Sequence, residues 1–327
     1  DHVKLLTDMH ISIELSISHQ IAAVIAAYGG RALIVGGYVR DLVLGLPAER
    51  DIDLEIYGLI LEQLQPMLAQ FGEVETVGRA FGVLKLKGLH LDISLPRRDS
   101  RTGRGHKGFD VTTDIALSVA DAARRRDLTM NSMALDPITG ELLDPFNGRT
   151  DLADRVLRAT DPATFSEDPL RALRVAQFAA RFEMRPDAIL LDLLGHQDLS
   201  ELPAERIWWE LHKLLLKGVR PSLGLTTLRD GHLLRYFPEL DALIGCPQDP
   251  LWHPEGDVFT HTLLAIDAAS SLRTGDEFHD LALMLGVLCH DFGKPLTTAT
   301  DGSHIRSRGH EAAGDAPTRA FLKRIGA

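Results

Sequence analysis

Apolar residues recur at helical spacing through residues 8–27, at Ile11, Leu15, Ile21, Val24 and Ile25, and the pattern stops at Gly29-Gly30. That predicts a helix leading into a first strand. The next apolar run, Ala32-Leu-Ile-Val35, is continuous and meets Gly36-Gly37 before an amphipathic turn carrying Arg40 and Asp41. It reads as strand, tight turn and helix start. The segment Asp51-Ile-Asp-Leu-Glu-Ile56 alternates with period two, a second strand. A helix is expected around 60–70, followed by short β-rich runs at 73–77, 82–87 and 89–95 with glycine breaks between them. Helices mixed with a few strands over ~120 residues form an α+β pattern. Beyond residue 152 strand signals fade, and helices dominate to the end.

Composition changes this picture in three places. A length of 327 residues allows two or more domains. A net charge of −11 argues against a general nucleic-acid coat, so any RNA contact must be local. Cys246 and Cys289 are the only cysteines, which excludes a disulfide framework and a Cys-rich zinc site and fits a reducing cytoplasm. No apolar run reaches the roughly 18 residues of a membrane span, and no signal peptide is expected.

The first candidate chemistry lies at Gly36, Gly37 and Arg40. Glycines let the backbone approach an anion, helix N–H groups point at it, and a guanidinium adds a charged contact. Asp51 and Asp53 share one face of the second strand, where a hard divalent cation such as Mg²⁺ would relieve their repulsion and bridge nucleotide phosphates. Asp92, in Leu-His-Leu-Asp-Ile-Ser, is the candidate third carboxylate. Gly-Gly-x-Val-Arg-Asp with a downstream Asp-x-Asp resembles the nucleotidyltransferase superfamily that includes DNA polymerase beta. More closely it is similar to the class II tRNA nucleotidyltransferases, the CCA-adding enzymes and their bacterial poly(A) polymerase relatives.

Later segments carry the resemblance further. Residues 97–110 are basic, Gly-rich and without apolar periodicity, and read as a loop; the family has a flexible loop here that helps it change from adding C to adding A. Arg125-Arg126-Asp127 matches the family's Arg-Arg-Asp motif, which assigns Arg126 to the triphosphate. Asp144-x₃-Gly148-x₂-Asp151-Leu152 resembles the joint between head and neck, although Asp151 alone would serve equally as a helix cap. Ser166-Glu-Asp-Pro-Leu-Arg opens a helix with a capping residue, an acidic first turn and an early proline. Its Asp168, Arg171 and Arg174 fall three apart on one stripe, either an ion-pair ladder or, by resemblance, the base-reading motif. A carboxylate beside a guanidinium suits the amino donor and ring-nitrogen acceptor of cytosine and adenine and opposes uracil and guanine. Residues 205–216 resemble the family's last motif, with structural support as the expected role.

A separate constellation, His261, His290-Asp291 and His310, resembles the ligand order of HD-type metal phosphohydrolases. The resemblance implies a second divalent, transition-type metal there, with the domain cut short at its C-terminus because the family's final Asp ligand lies farther along. The expected architecture is therefore a small mixed-sheet nucleotidyltransferase head followed by an all-α neck and body and a partial α-helical HD domain. Its segments are an N-terminal helix (1–27), head (28–150), neck (151–220), body or linker (221–252) and HD part (253–327). The implied activity is addition of CCA, or part of it, to tRNA 3′ ends from CTP and ATP with release of pyrophosphate. Asp51 and Asp53 would hold Mg²⁺, and the setting would be cytoplasmic. Alternatives are a CC- or A-adding enzyme, a poly(A) polymerase, whose basic run Gly78-Arg-Ala-Phe-Gly82 lacks, and an HD phosphohydrolase with the head as nucleotide sensor.

Overall fold

The computed structural model describes residues 13–47, 51–77, 83–101, 109–302 and 304–327. Contacts divide the chain into two units, residues 1–154 with 158–167, and residues 155–157 with 168–327.

The first unit is built on helix α1 (Ile13–Ala27), strand β1 (Arg31–Val35), α2 (Gly37–Val43), β2 (Ile52–Tyr57), α3 (Leu61–Leu68), β3 (Val74–Val77), β4 (Val83–Leu86) and β5 (Leu91–Ser94). It continues with β6 (Arg97–Arg101), β7 (Phe109–Thr113), α4 (Val119–Arg124), β8 (Ala134–Leu135), β9 (Leu142–Leu143), α5 (Gly148–Ala153) and α6 (Pro162–Phe165). Seven strands make one sheet in the order β3-β4-β5-β2-β1-β8-β9, antiparallel except for the β2–β5 pair. Ile21 and Ile25 of α1 are buried, as the helical spacing requires; the expected residues 8–12 of that helix lie outside the described residues. Leu33, Val35, Tyr57, Leu117, Ala122 and Ala134 form a core cluster, and truncating one such leucine to alanine typically costs about 2–5 kcal/mol.

The basic stretch departs from expectation. Residues 97–101 and 109–113 pair as an antiparallel ribbon, with 102–108 outside the described residues. A ribbon needs only backbone hydrogen bonds, so the lack of apolar periodicity concealed it.

The second unit contains β10 (Val156–Leu157), α7 (Leu170–Phe182), β11 (Arg185–Pro186), α8 (Ala188–Gly195), α9 (Ala204–Lys217), α10 (Pro221–Asp230) and α11 (Pro238–Asp241). Then come α12 (Val258–Ser270), α13 (Glu277–Cys289), α14 (Lys294–Thr297), β12 (Thr298–Asp301), β13 (His304–Ser307), α15 (His310–Ala313) and α16 (Asp315–Ile325). Helix α7 packs on α9 and α10. Gly224 permits the close approach, since a Cβ there would come within 2.7 Å of the Ala176 carbonyl. Strands persist past residue 152 after all, as the short parallel pair β10–β11 and the hairpin β12–β13.

Candidate active site

Strand β1 sets Val35 opposite Asp53 of β2, so the Gly36 turn falls beside the Asp53 carboxylate. Gly36 has φ 77° and ψ −139°, backbone that residues with a Cβ rarely adopt. A Cβ there would lie 3.3 Å from Arg126 Nη1 and 3.3 Å from Asp53 Oδ2. Bare backbone, a guanidinium and a carboxylate thus meet at one point. Crowding by protein raises the Asp53 carboxyl above its usual range; Arg126 opposes this, and Asp92, Asp51 and Glu55 add to it. Negative charge is concentrated there, as a cation site requires.

Asp51 stands one residue before β2, exposed, with His90 Nδ1 at 3.0 Å. Asp92 is the register partner of Asp53 on β5, but it pairs with Lys85 at 2.9 Å. The three carboxylates do not close into one three-ligand group, because the groups with ligand atoms within 4.8 Å of one another lie elsewhere among the described residues. Asp92 nonetheless stands beside Asp53 in the β2–β5 register and adds to the negative charge there. The hard oxygen donors of Asp51 and Asp53 fit Mg²⁺.

Arg40 turns inward. Its side chain is buried, pairs with Asp41 at 2.6 Å and donates to Asn131 Oδ1 at 2.8 Å. Asn131 in turn donates to Asp127 at 2.9 Å. The guanidinium braces the Gly36-Gly37 helix against the Arg-Arg-Asp segment and lies beside the Gly37 turn, its Nη2 3.3 Å from where a Cβ on Gly37 would sit. Asp151 is no cap, since Asp144 accepts from the Gly148 and Arg149 backbone at 2.7 and 2.9 Å, while Asp151 accepts from Thr129 Oγ1 at 2.7 Å.

Glu55 was not singled out from the sequence. Buried in β2, it accepts from Tyr57 Oη at 2.7 Å and Arg125 Nη2 at 3.0 Å, with Arg126 Nη2 at 3.8 Å. Burial alone would raise its carboxyl, but Arg126, Arg125 and the Tyr57 bond outweigh that and hold it below the usual range. The available signal was the period-two continuation Asp51, Asp53, Glu55 followed by Tyr57.

In the second unit, α7 begins at Leu170, and Asp168 precedes it, accepting from the Leu170 backbone at 3.1 Å. Ser166 ends α6 and does not cap α7. The Asp168 carboxylate pairs with Arg206 of α9 at 3.1 Å, a partner the sequence reading did not propose. Arg171 and Arg174 follow on α7, both half-buried, with Arg174 stacked over Phe178 at 5.1 Å.

The histidines converge. His261, His290 and Asp291 place ligand atoms within 4.8 Å of one another. The Nε2 atoms of His261, His290 and His310 lie 4.0, 3.2 and 3.6 Å from the Asp291 carboxylate. Their Nδ1 atoms meet only acceptors, namely Glu255 Oε1 at 2.7 Å and the carbonyls of Val287 at 2.7 Å and Ser307 at 2.8 Å. Each Nδ1 is thus placed to donate, and the Nε2 atoms turn toward Asp291, the side on which a metal would be ligated. Burial would raise the Asp291 carboxyl, but His290 and Lys294 bring it down to about 2.

Comparison with known proteins bears on the family and the fold. Residues 32–158 match the poly A polymerase head domain, and residues 195–244 match the probable RNA and SrmB-binding site of polymerase A. The chain is 42% identical over 302 residues to the multifunctional CCA protein of Laribacter hongkongensis, covering 90% of this chain and 70% of that one. A CCA-adding enzyme solved with CTP shares the fold at TM-score 0.60 and 21% identity, covering all of this chain and 86% of the other. A tRNA nucleotidyltransferase solved with a primer tRNA and an incoming ATP analog has TM-score 0.51 and 26% identity, covering 81% and 79%. The chain belongs to the CCA-adding tRNA nucleotidyltransferase family. No helix among the described residues is long and apolar enough to cross a membrane.

Proposed function

We propose that the chain extends tRNA 3′ ends with C, C and A, taking CTP and ATP in turn and releasing pyrophosphate. The observation that carries this is the junction of Gly36, Arg126 and Asp53, where a triphosphate can lie against bare backbone beside a carboxylate pair. Asp51 and Asp53 would hold Mg²⁺, which when bound lowers the pKa of the attacking 3′-OH and neutralises charge on the leaving group. Arg126 meets triphosphate oxygens, and Glu55 fixes where Arg125 and Arg126 stand. Asp168 accepts from the amino group of cytosine or adenine, and Arg171 donates to the adjacent ring nitrogen, with Arg174 supporting the stripe. The tRNA acceptor arm is held through shape and backbone, since net charge is acidic overall. Two buried free cysteines and these substrates suit the cytoplasm.

The test is incubation with tRNA ending at the discriminator base and with tRNA ending in CC, offering each nucleotide separately and reading product length. Extension by three from CTP plus ATP is expected. Arrest after two additions, or addition of A alone, would make it a partial enzyme, and long A tails would make it a poly(A) polymerase.

A second reading rests on the inward Nε2 atoms around Asp291. His261, His290, Asp291 and His310 would hold a divalent transition metal, which when bound polarises a phosphoester and activates water. Lys294, 2.8 Å from Asp291, holds that carboxylate ionised.

A further inference from the structure

We infer that Glu255 is a positioning residue that sets the ring orientation and tautomer of His261 for a cation at the imidazole cluster, an inference that rests on reading that cluster as a metal centre. Its Oε1 lies 2.7 Å from His261 Nδ1 and 3.0 Å from His253 Nδ1. A carboxylate only accepts, so both Nδ1 atoms face it as donors, and the His261 atom left to meet a cation is Nε2. His290 and His310 obtain the same tautomer from backbone carbonyls of their own neighbourhood, Val287 and Ser307. His261 alone depends on a side chain from outside its helix, in the segment preceding α12.

That segment is tied to the cluster from the other side as well. Lys294 Nζ donates to Gln248 Oε1 at 2.7 Å and lies 2.8 Å from Asp291, and Gln248 Nε2 donates to the Gly256 carbonyl at 3.3 Å. Glu255, His261, Asp291, Lys294, Gln248 and Gly256 therefore form a closed ring of contacts that includes the His261 imidazole. His253, packed edge-on against His261 at 4.9 Å, shares the same Glu255 oxygen. His253, Glu255 and His261 also lie close enough together to suggest a second cation. That arrangement would require His261 to lose its Nδ1 proton and bridge two metals, whereas a hydrogen-bonded carboxylate leaves the neutral ring that a single metal needs.

Titration of the full chain with Co²⁺ in excess Mg²⁺, followed by the visible absorption that imidazole ligation produces, distinguishes the cases. The wild type is expected to bind one equivalent. Glu255→Ala should still bind one, about 10–100-fold more weakly, with unchanged Tm and nucleotide addition, and Glu255→Gln should recover part of the loss because its carbonyl oxygen still accepts. Unchanged Co²⁺ affinity in Glu255→Ala, alongside loss of the band in His290→Ala, would overturn the positioning role while leaving the metal centre. Two equivalents in the wild type, one of them lost in Glu255→Ala, would overturn it in favour of a second site. An undiminished band in His290→Ala would remove the metal centre itself and this inference with it.

Discussion

Arg125 donates to the buried carboxylate of Glu55 at 3.0 Å, across 70 positions of sequence. Because the carboxyl is held below its unfolded value near 4.5, it contributes stability above that pH, and the contribution is lost as pH falls through the lower folded value. Glu55→Gln should therefore cost about 1–3 kcal/mol at pH 7. The gap in Tm between wild type and variant should narrow below pH 4.5. A gap equally wide at pH 3 would show that charge is not what Glu55 supplies.

This residue marks the limit of what the chain announces in advance. Gly36, Gly37, Asp51 and Asp53 were legible because their meaning is local: a turn needs glycine, and period two aligns nearby carboxylates. Glu55 belongs to the same alternation, but its partners are Tyr57 and two arginines far along the chain, and an acidic strand residue read alone looks solvated. Arg206 was missed for the same reason, lying 38 positions from Asp168. The hairpin β12–β13 did have a signal in the sequence, the dipeptide Gly302-Ser303 between its two short strands, which the helical surroundings obscured.

Asp51→Ala or Asp53→Ala should abolish nucleotide addition while leaving folding and tRNA binding largely intact. Retention of more than about a tenth of the wild-type rate, a deficit under ~1.4 kcal/mol, would remove that carboxylate from catalysis. Because the Asp53 carboxyl is raised, protons compete there for Mg²⁺, so on acidification the Mg²⁺ concentration needed for half-maximal rate should begin to rise at a higher pH than an ordinary aspartate would give.

Gly36→Ala places a Cβ between Arg126 and Asp53 on backbone that costs about 1–3 kcal/mol for a non-glycine residue. kcat/KM for both CTP and ATP should fall by at least about tenfold, with no change in their ratio. A variant with normal kinetics would show that the triphosphate lies elsewhere.

Arg206 Nη1 is buried without a hydrogen-bond partner among the described residues, while its Nη2 holds Asp168. Arg206→Ala should loosen the Asp168 carboxylate and blunt discrimination against UTP and GTP by a smaller factor than loss of Asp168 itself. Equal or greater loss of selectivity would make Arg206 the reader and Asp168 its support.

The central claim, that side chains choose the nucleotide, is tested most directly by kcat/KM for CTP, ATP, UTP and GTP in wild type and Asp168→Ala. Removing the carboxylate abolishes half of the mismatch that uracil and guanine meet, so preference for CTP and ATP should fall roughly ten- to a hundredfold, or about 1–3 kcal/mol. If Asp168 only caps α7 and pairs with Arg206, the substitution should lower stability modestly and leave the preference profile unchanged, which would contradict the account.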